Sequence, residues 1–70
     1  MERIAVQSRE IALVGYENQS ATLEVTFRRG GVYHYFKVQP NTFDQLMKAP
    51  SLGTYFAAEI KDKYSYKKVC

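Results

Sequence analysis

Residues 22–35 carry the feature that most constrains the fold. Thr22-Leu23-Glu24-Val25-Thr26-Phe27 alternates without a break, so Leu23, Val25 and Phe27 share one face of an extended strand and Thr22, Glu24 and Thr26 the other. Arg28-Arg29-Gly30-Gly31 follows. Glycine accepts positive φ without steric cost, so this tetrad marks a tight reversal. Val32 to Val38 then runs through β-branched and aromatic residues and reads as the returning strand. Upstream, Ile11 to Tyr16 is a short apolar run closed by the polar turn Glu17-Asn18-Gln19-Ser20, which supplies another strand. The three strands form an antiparallel meander.

The second half changes period. Pro40-Asn41 ends the strand, with Asn41 expected as N-cap and Asp44 near the positive end of the helix dipole. Phe43, Leu46 and Met47 fall at i, i+3 and i+4 and make one apolar stripe. Pro50 cannot continue that helix. Ser51 caps a second one, along which Leu52, Tyr55, Phe56 and Ile60 recur at helical spacing while Lys61 and Asp62 point away. Lys63 to Cys70 has no clear pattern and is expected to be a frayed or extended tail. The predicted fold is α+β: a three-stranded antiparallel meander followed by two short helices packed on one face, in the order βββαα. The predicted core is Leu23, Val25, Phe27, Phe43, Leu46, Tyr55, Phe56 and Ile60.

The size of the chain narrows the functional classes. Seventy residues fit a single domain, 1–70, near the lower limit of a self-sufficient core, so association into a homo-oligomer would add stability. One cysteine forms no internal disulfide. No apolar run approaches the ~18 residues of a membrane span, and Met1 to Glu10 has no apolar leader segment, so a cytoplasmic protein is expected. Catalysis has little footing. Cys70 stands at the chain end without the environment that activates a thiol. His34 is the only histidine, with no Asp or Ser at catalytic-motif spacing and no set of metal ligands around it. No enzyme activity, metal or cofactor is expected.

One family resemblance covers nearly the whole chain. It rests on Ser8-Arg9-Glu10-Ile11 leading to Gly15-Tyr16, on Leu23-x-Val25-x-Phe27, on the glycine turn, and on Tyr33-His34-Tyr35, which matches a Tyr-x-Tyr motif. It continues through Ala49-x-Ser51-x-Gly53-x-Tyr55-Phe56 to Ile60 and Tyr64. In these residues the chain resembles a stand-alone KTSC domain, the small module named after the C-terminus of some lysyl-tRNA synthetases. Two positions depart from the family pattern: Gln39 intervenes between Val38 and Pro40, and Ala57 replaces the Asn common after the Tyr-Phe pair. The resemblance implies RNA as a partner, by association with a tRNA-charging enzyme.

The face that Tyr33 and Tyr35 take depends on the hairpin loop. A two- or four-residue loop puts His34 and Phe36 on the Val25 face and the tyrosines outside. A three-residue loop Arg28-Arg29-Gly30 pairs Phe27 with Gly31 and brings Tyr33 beside Val25. The three-residue loop is preferred, because it leaves polar His34 outside and gives Gly30 a role. The tyrosines are then core residues, and His34, Phe36 and Arg28 lie on the open face.

A net charge of +3 suits an anionic partner. Exposed aromatic rings beside cations are the chemistry of single-stranded nucleic-acid binding. The predicted function is a small non-enzymatic module that binds RNA or tRNA weakly through Arg28, Arg29, His34, Phe36, Lys61, Lys67 and Lys68. Two alternatives stand beside it. One is a protein–protein or homo-oligomeric structural domain. The other is a small phosphate-bearing ligand, such as a nucleotide, held at the helix start Ser51 to Gly53 with Lys48 and Lys61 adding charge.

Overall fold

The alternation at 22–27 and the returning strand at 32–35 form the centre of a five-stranded antiparallel sheet. The structure is a computed structural model that describes all 70 residues. Its elements run β1 (Arg3–Ala5), β2 (Ile11–Glu17), β3 (Thr22–Phe27), β4 (Val32–Tyr35), α1 (Pro40–Lys48), α2 (Leu52–Glu59) and β5 (Tyr66–Lys68). The strands lie side by side in sequence order. The two helices bridge β4 to β5 and pack on one face of the sheet.

Two strands correct the expected count of three. β5 pairs with β4 through Tyr33–Lys68, His34–Lys67 and Tyr35–Tyr66, so within the end expected to be a frayed or extended tail residues 66–68 are extended and form an edge strand. β1 pairs with β2 through Arg3–Gly15 and Ala5–Leu13. Both are three residues long and wholly exposed. A strand buried on neither face leaves no burial pattern in its sequence; the unpaired edges of the hairpins recruit it.

The β3–β4 loop is the three-residue Arg28-Arg29-Gly30. Phe27 N–H donates to the Gly31 carbonyl at 3.1 Å, and Val25 lies opposite Tyr33. Gly30 and Gly31 take φ of +112° and +97°, which a side chain would strain. β4 stops at Tyr35 rather than Val38, because Lys37 turns left-handed at φ +59°. Val38 still reaches the core, held by its N–H on the Ala21 carbonyl at 2.9 Å and by the Tyr16 hydroxyl on its own carbonyl.

The N-cap of α1 is Gln39, with Pro40 in the first turn where its missing N–H is not needed, and not Asn41. Asp44 pairs with Lys48 one turn on at 3.0 Å. Ser51 caps α2 as predicted, accepting from the Thr54 N–H. The core is Ile11, Val14, Leu23, Val25, Tyr35, Val38, Leu46, Leu52, Phe56 and Ile60. Phe27, Phe43 and Tyr55, predicted inside, are half-buried against it, because a sheet this small cannot cover both ends of a large ring. Phe43 instead stacks on Tyr16 with ring centroids 4.9 Å apart.

Candidate functional site

The loop parity sets which side chains β4 sends under the helices. Tyr33 and Tyr35 go with Val25 and Leu23. β5 adds Tyr66 beside Tyr35 on the same face. β3 contributes Phe27 from its last position and α2 contributes Phe56. These five rings close a circuit. Centroid separations are 5.4 Å for Phe27–Tyr33, 6.0 Å for Tyr33–Tyr66, 5.5 Å for Tyr66–Tyr35, 5.3 Å for Tyr35–Phe56 and 5.8 Å for Phe56–Phe27. All fall within the range of favourable aromatic contact.

The circuit lines a cavity of about 450 Å³, bordered also by Glu10, Arg29, Lys61 and Asp62. Its polar groups are unspent. The hydroxyls of Tyr33, Tyr35 and Tyr66 make no hydrogen bond to the protein, whereas Tyr16 and Tyr55 spend theirs on the Val38 carbonyl and on Gln45. None of the four charged side chains has an ion-pair partner; the salt bridges of the molecule lie elsewhere. Burial, with Tyr66, Tyr33 and Asp62 nearby, pushes the Tyr35 hydroxyl up to about 12. At neutral pH it is therefore a protonated hydroxyl, able to donate and accept. Tyr66 keeps 59% of its surface exposed.

The centre of the opposite face is self-contained. Arg3, Gly15, Glu24, His34 and Lys67 lie across it in register. The nearly buried Glu24 carboxylate accepts from Arg3 Nε and from Arg3 Nη2 at 3.3 Å, and its Oε1 lies 2.9 Å from His34 Nε2. The Arg3 hydrogen bonds hold the Glu24 carboxyl below its ordinary value, with His34 helping, against the opposing effect of burial. The guanidinium of Arg3 is raised in return.

The predicted site residues are thus divided. Arg29, Lys61, Tyr33 and Tyr35 meet at the cavity, and Lys68 lies opposite Tyr33 beside it. Lys67 and His34 are on the other face, with Phe36 near the His34 ring at 6.5 Å. Arg28 donates to the carbonyls of Ser8 at 2.6 Å and Val6 at 3.1 Å and so ties the hairpin loop to the β1–β2 connection. At the α2 start, Ser51 Oγ is engaged by Thr54, and a Cβ on Gly53 would lie 3.3 Å from Ser8 Oγ, so that glycine permits close packing. Lys48 is paired with Asp44, and Lys61 lies beyond the far end of α2, so neither adds charge to Ser51. The sequence reading missed Tyr66, Glu10 and Asp62. The spacing Tyr64-x-Tyr66-x-Lys68 was the available strand signal, masked by the lysines.

Residues 7–64 match the model of the KTSC domain. A KTSC domain protein of known crystal structure from Yersinia pestis superposes with a TM-score of 0.95 at 33% identity, covering 99% of this chain and 97% of that one. A protein from Stutzerimonas stutzeri is 36% identical over 64 residues, 91% of this chain and 90% of its own length. A lysine–tRNA ligase from Nostoc punctiforme is 41% identical over 54 residues, and one from Trichormus variabilis 43% over 54. In each ligase the match takes 77% of this chain but only 10% of the enzyme. No helix is long and apolar enough to cross a membrane, and no group of His, Cys, Asp and Glu is placed to hold a metal ion. The chain belongs to the KTSC family.

Proposed function

We propose that this KTSC domain is a non-enzymatic module that binds single-stranded RNA weakly, by stacking an unstacked base at the aromatic cavity while nearby cations hold the phosphates. The observation that carries the reading is the ring circuit with its unspent polar groups. A base flipped out of its strand brings an aromatic face and hydrogen-bonding edges, and the cavity offers the complement of both. The exposed Tyr66 ring is the stacking platform. Lys61 and Lys68 neutralise the flanking phosphates, and Arg29 adds positive charge at the mouth. The likeness to a segment of two lysine–tRNA ligases supports an RNA partner; the ligases' own activity is not carried over, since the match spans a tenth of them.

Anisotropy of a labelled single-stranded oligonucleotide and of labelled tRNA tests the reading. Two phosphate contacts to a single strand give a slope of log K against log salt between about −1 and −2. No anisotropy change at low salt and high protein concentration rejects RNA as the ligand.

A further inference from the structure

The cavity carries more than a stacking platform needs. A sequence-tolerant site requires rings and cations; carboxylates repel the phosphates that it must attract. Yet Glu10 and Asp62 line the cavity beside Arg29 and Lys61, two charges of each sign, with no ion pair formed among them. Such groups are suited to the edge of a base rather than to its backbone.

The four bases differ in what those edges present. Guanine has two adjacent donors, N1–H and N2–H, on its Watson–Crick edge, and two adjacent acceptors, O6 and N7, on its major-groove edge. A carboxylate has two acceptor oxygens and fits the first pair; an arginine fork fits the second. Adenine presents a donor beside an acceptor on both edges, which leaves a carboxylate facing a lone pair. Cytosine has the single donor N4–H beside N3, which again leaves a carboxylate facing a lone pair, and its adjacent acceptors N3 and O2 fit the fork alone. Uracil flanks its single donor with two carbonyl oxygens. A cavity holding both an unpaired carboxylate and an unpaired guanidinium therefore complements guanine on two edges at once, and each other base on at most one.

We infer that the cavity selects guanine from a single strand, with the Asp62 carboxylate taking N1–H and N2–H, the Arg29 guanidinium taking O6 and N7, and the ring stacked on Tyr66. This rests on the RNA reading above and names the base which that site takes. Asp62 is placed for the role. It lies in the turn after α2, at the cavity edge, and its charge is felt at the Tyr35 hydroxyl. The tyrosine hydroxyls donate or accept as the bound edge requires.

The test uses labelled heptauridylates in which the central residue is G, A, C or U, titrated with the full chain, and repeated with Asp62→Asn. Asp62 is exposed and makes no ion pair, so the variant keeps its fold, which circular dichroism checks. The central G should bind on the order of tenfold more tightly than the other three. Asp62→Asn should remove that advantage while leaving the other three oligonucleotides bound as before or slightly tighter. Free GMP should compete better than UMP. Equal binding of all four, or preference for another base, overturns the guanine assignment and leaves RNA binding standing. A guanine preference that survives Asp62→Asn also overturns it as drawn. Binding of none overturns both readings.

Discussion

On the open face of the sheet, Arg3, Glu24 and His34 satisfy one another; on the helix-covered face, Tyr33, Tyr35 and Tyr66 line a cavity and their hydroxyls have no protein partner. The two faces share the same strands, and successive residues of β4 serve one and then the other. The difference lies in where the polar groups are spent. The Arg3, Glu24 and His34 groups of the open face are spent on one another, so a ligand that takes any of them has to compete with existing hydrogen bonds, and only Lys67 at the edge is left unpaired. The cavity groups have only solvent to lose. A ligand that covers them must supply partners of the right kind, since a polar group buried without one costs ~1–3 kcal/mol. On the proposed reading, that is why the cavity, and not the open face, would discriminate between ligands.

The sharpest way to break this contrast is through the ring shared by core and cavity. Phe56 is nearly buried and touches both Phe27 and Tyr35. Phe56→Ala should cost ~3–5 kcal/mol, as buried aromatic truncations do. In a domain of this size that approaches the whole stability. Phe36→Ala, half-exposed beside His34, should cost far less. An unchanged melting temperature for Phe56→Ala would show that α2 does not pack as described.

The open-face network gives the next largest effect, and it depends on pH. Removing the charge with Glu24→Gln should cost ~1–3 kcal/mol at neutral pH, because hydrogen bonds to a charged group are lost. The folded value of Glu24 lies below that of the unfolded chain. Its contribution is therefore fully present above the unfolded value of about 4.3 and is lost as pH falls through the folded value. Melting curves of the two proteins should converge in acid and diverge above pH ~5. RNA binding should not change. Parallel pH profiles would mean that Glu24 is not preferentially ionised by Arg3.

Much of this arrangement is legible in the sequence, and the exceptions have physical causes. The alternation at Thr22–Phe27 and the two glycines predict the hairpin, and its parity puts Tyr35 inside and His34 outside. The prolines bound both helices. The missing strands are the edges, where pairing to a neighbour rather than side-chain burial fixes the conformation. The bulge in β2 between Ile11 and Leu13 likewise leaves no local mark. Of the candidate site, Arg29, Lys61, Tyr33 and Tyr35 are visible as residue types, but Tyr66 joins them only because β5 returns beside β4, and Asp62 because the turn after α2, expected to point away, borders the same cavity. The bond from Arg3 to Glu24 spans 21 positions, and no local pattern announces it.

A smaller effect on stability is expected inside the cavity. Tyr33→Phe/Tyr35→Phe keeps both rings and removes two hydroxyls that bond to nothing in the protein. Each satisfied hydroxyl contributes about 1 kcal/mol, so two without protein partners should change stability by less than that. Binding of the guanine-containing oligonucleotide should weaken, since both tyrosines line the site and their hydroxyls are free to bond a base edge. A marked loss of stability with unchanged affinity would make these tyrosines purely structural.

The smallest perturbation compares neighbouring lysines on one edge strand. Lys67 lies opposite His34 on the open face, and Lys68 lies opposite Tyr33 on the cavity face. Both are exposed and neither is ion-paired, so Lys67→Glu and Lys68→Glu should each leave the stability within ~0.5 kcal/mol of the parent. Their effects on RNA should differ. Lys68→Glu places a negative charge beside the cavity and should both weaken binding and make the salt slope shallower by about 0.7, the loss of one phosphate contact to a single strand. Lys67→Glu makes the same change in net charge on the opposite side of the sheet, and it should keep the slope of the parent. Because the two variants have identical composition changes and sit one residue apart, a general loss of positive charge predicts equal effects. A difference between them assigns the phosphate track to the cavity face, and equal losses would mean that RNA follows the edge of the sheet without regard to the cavity.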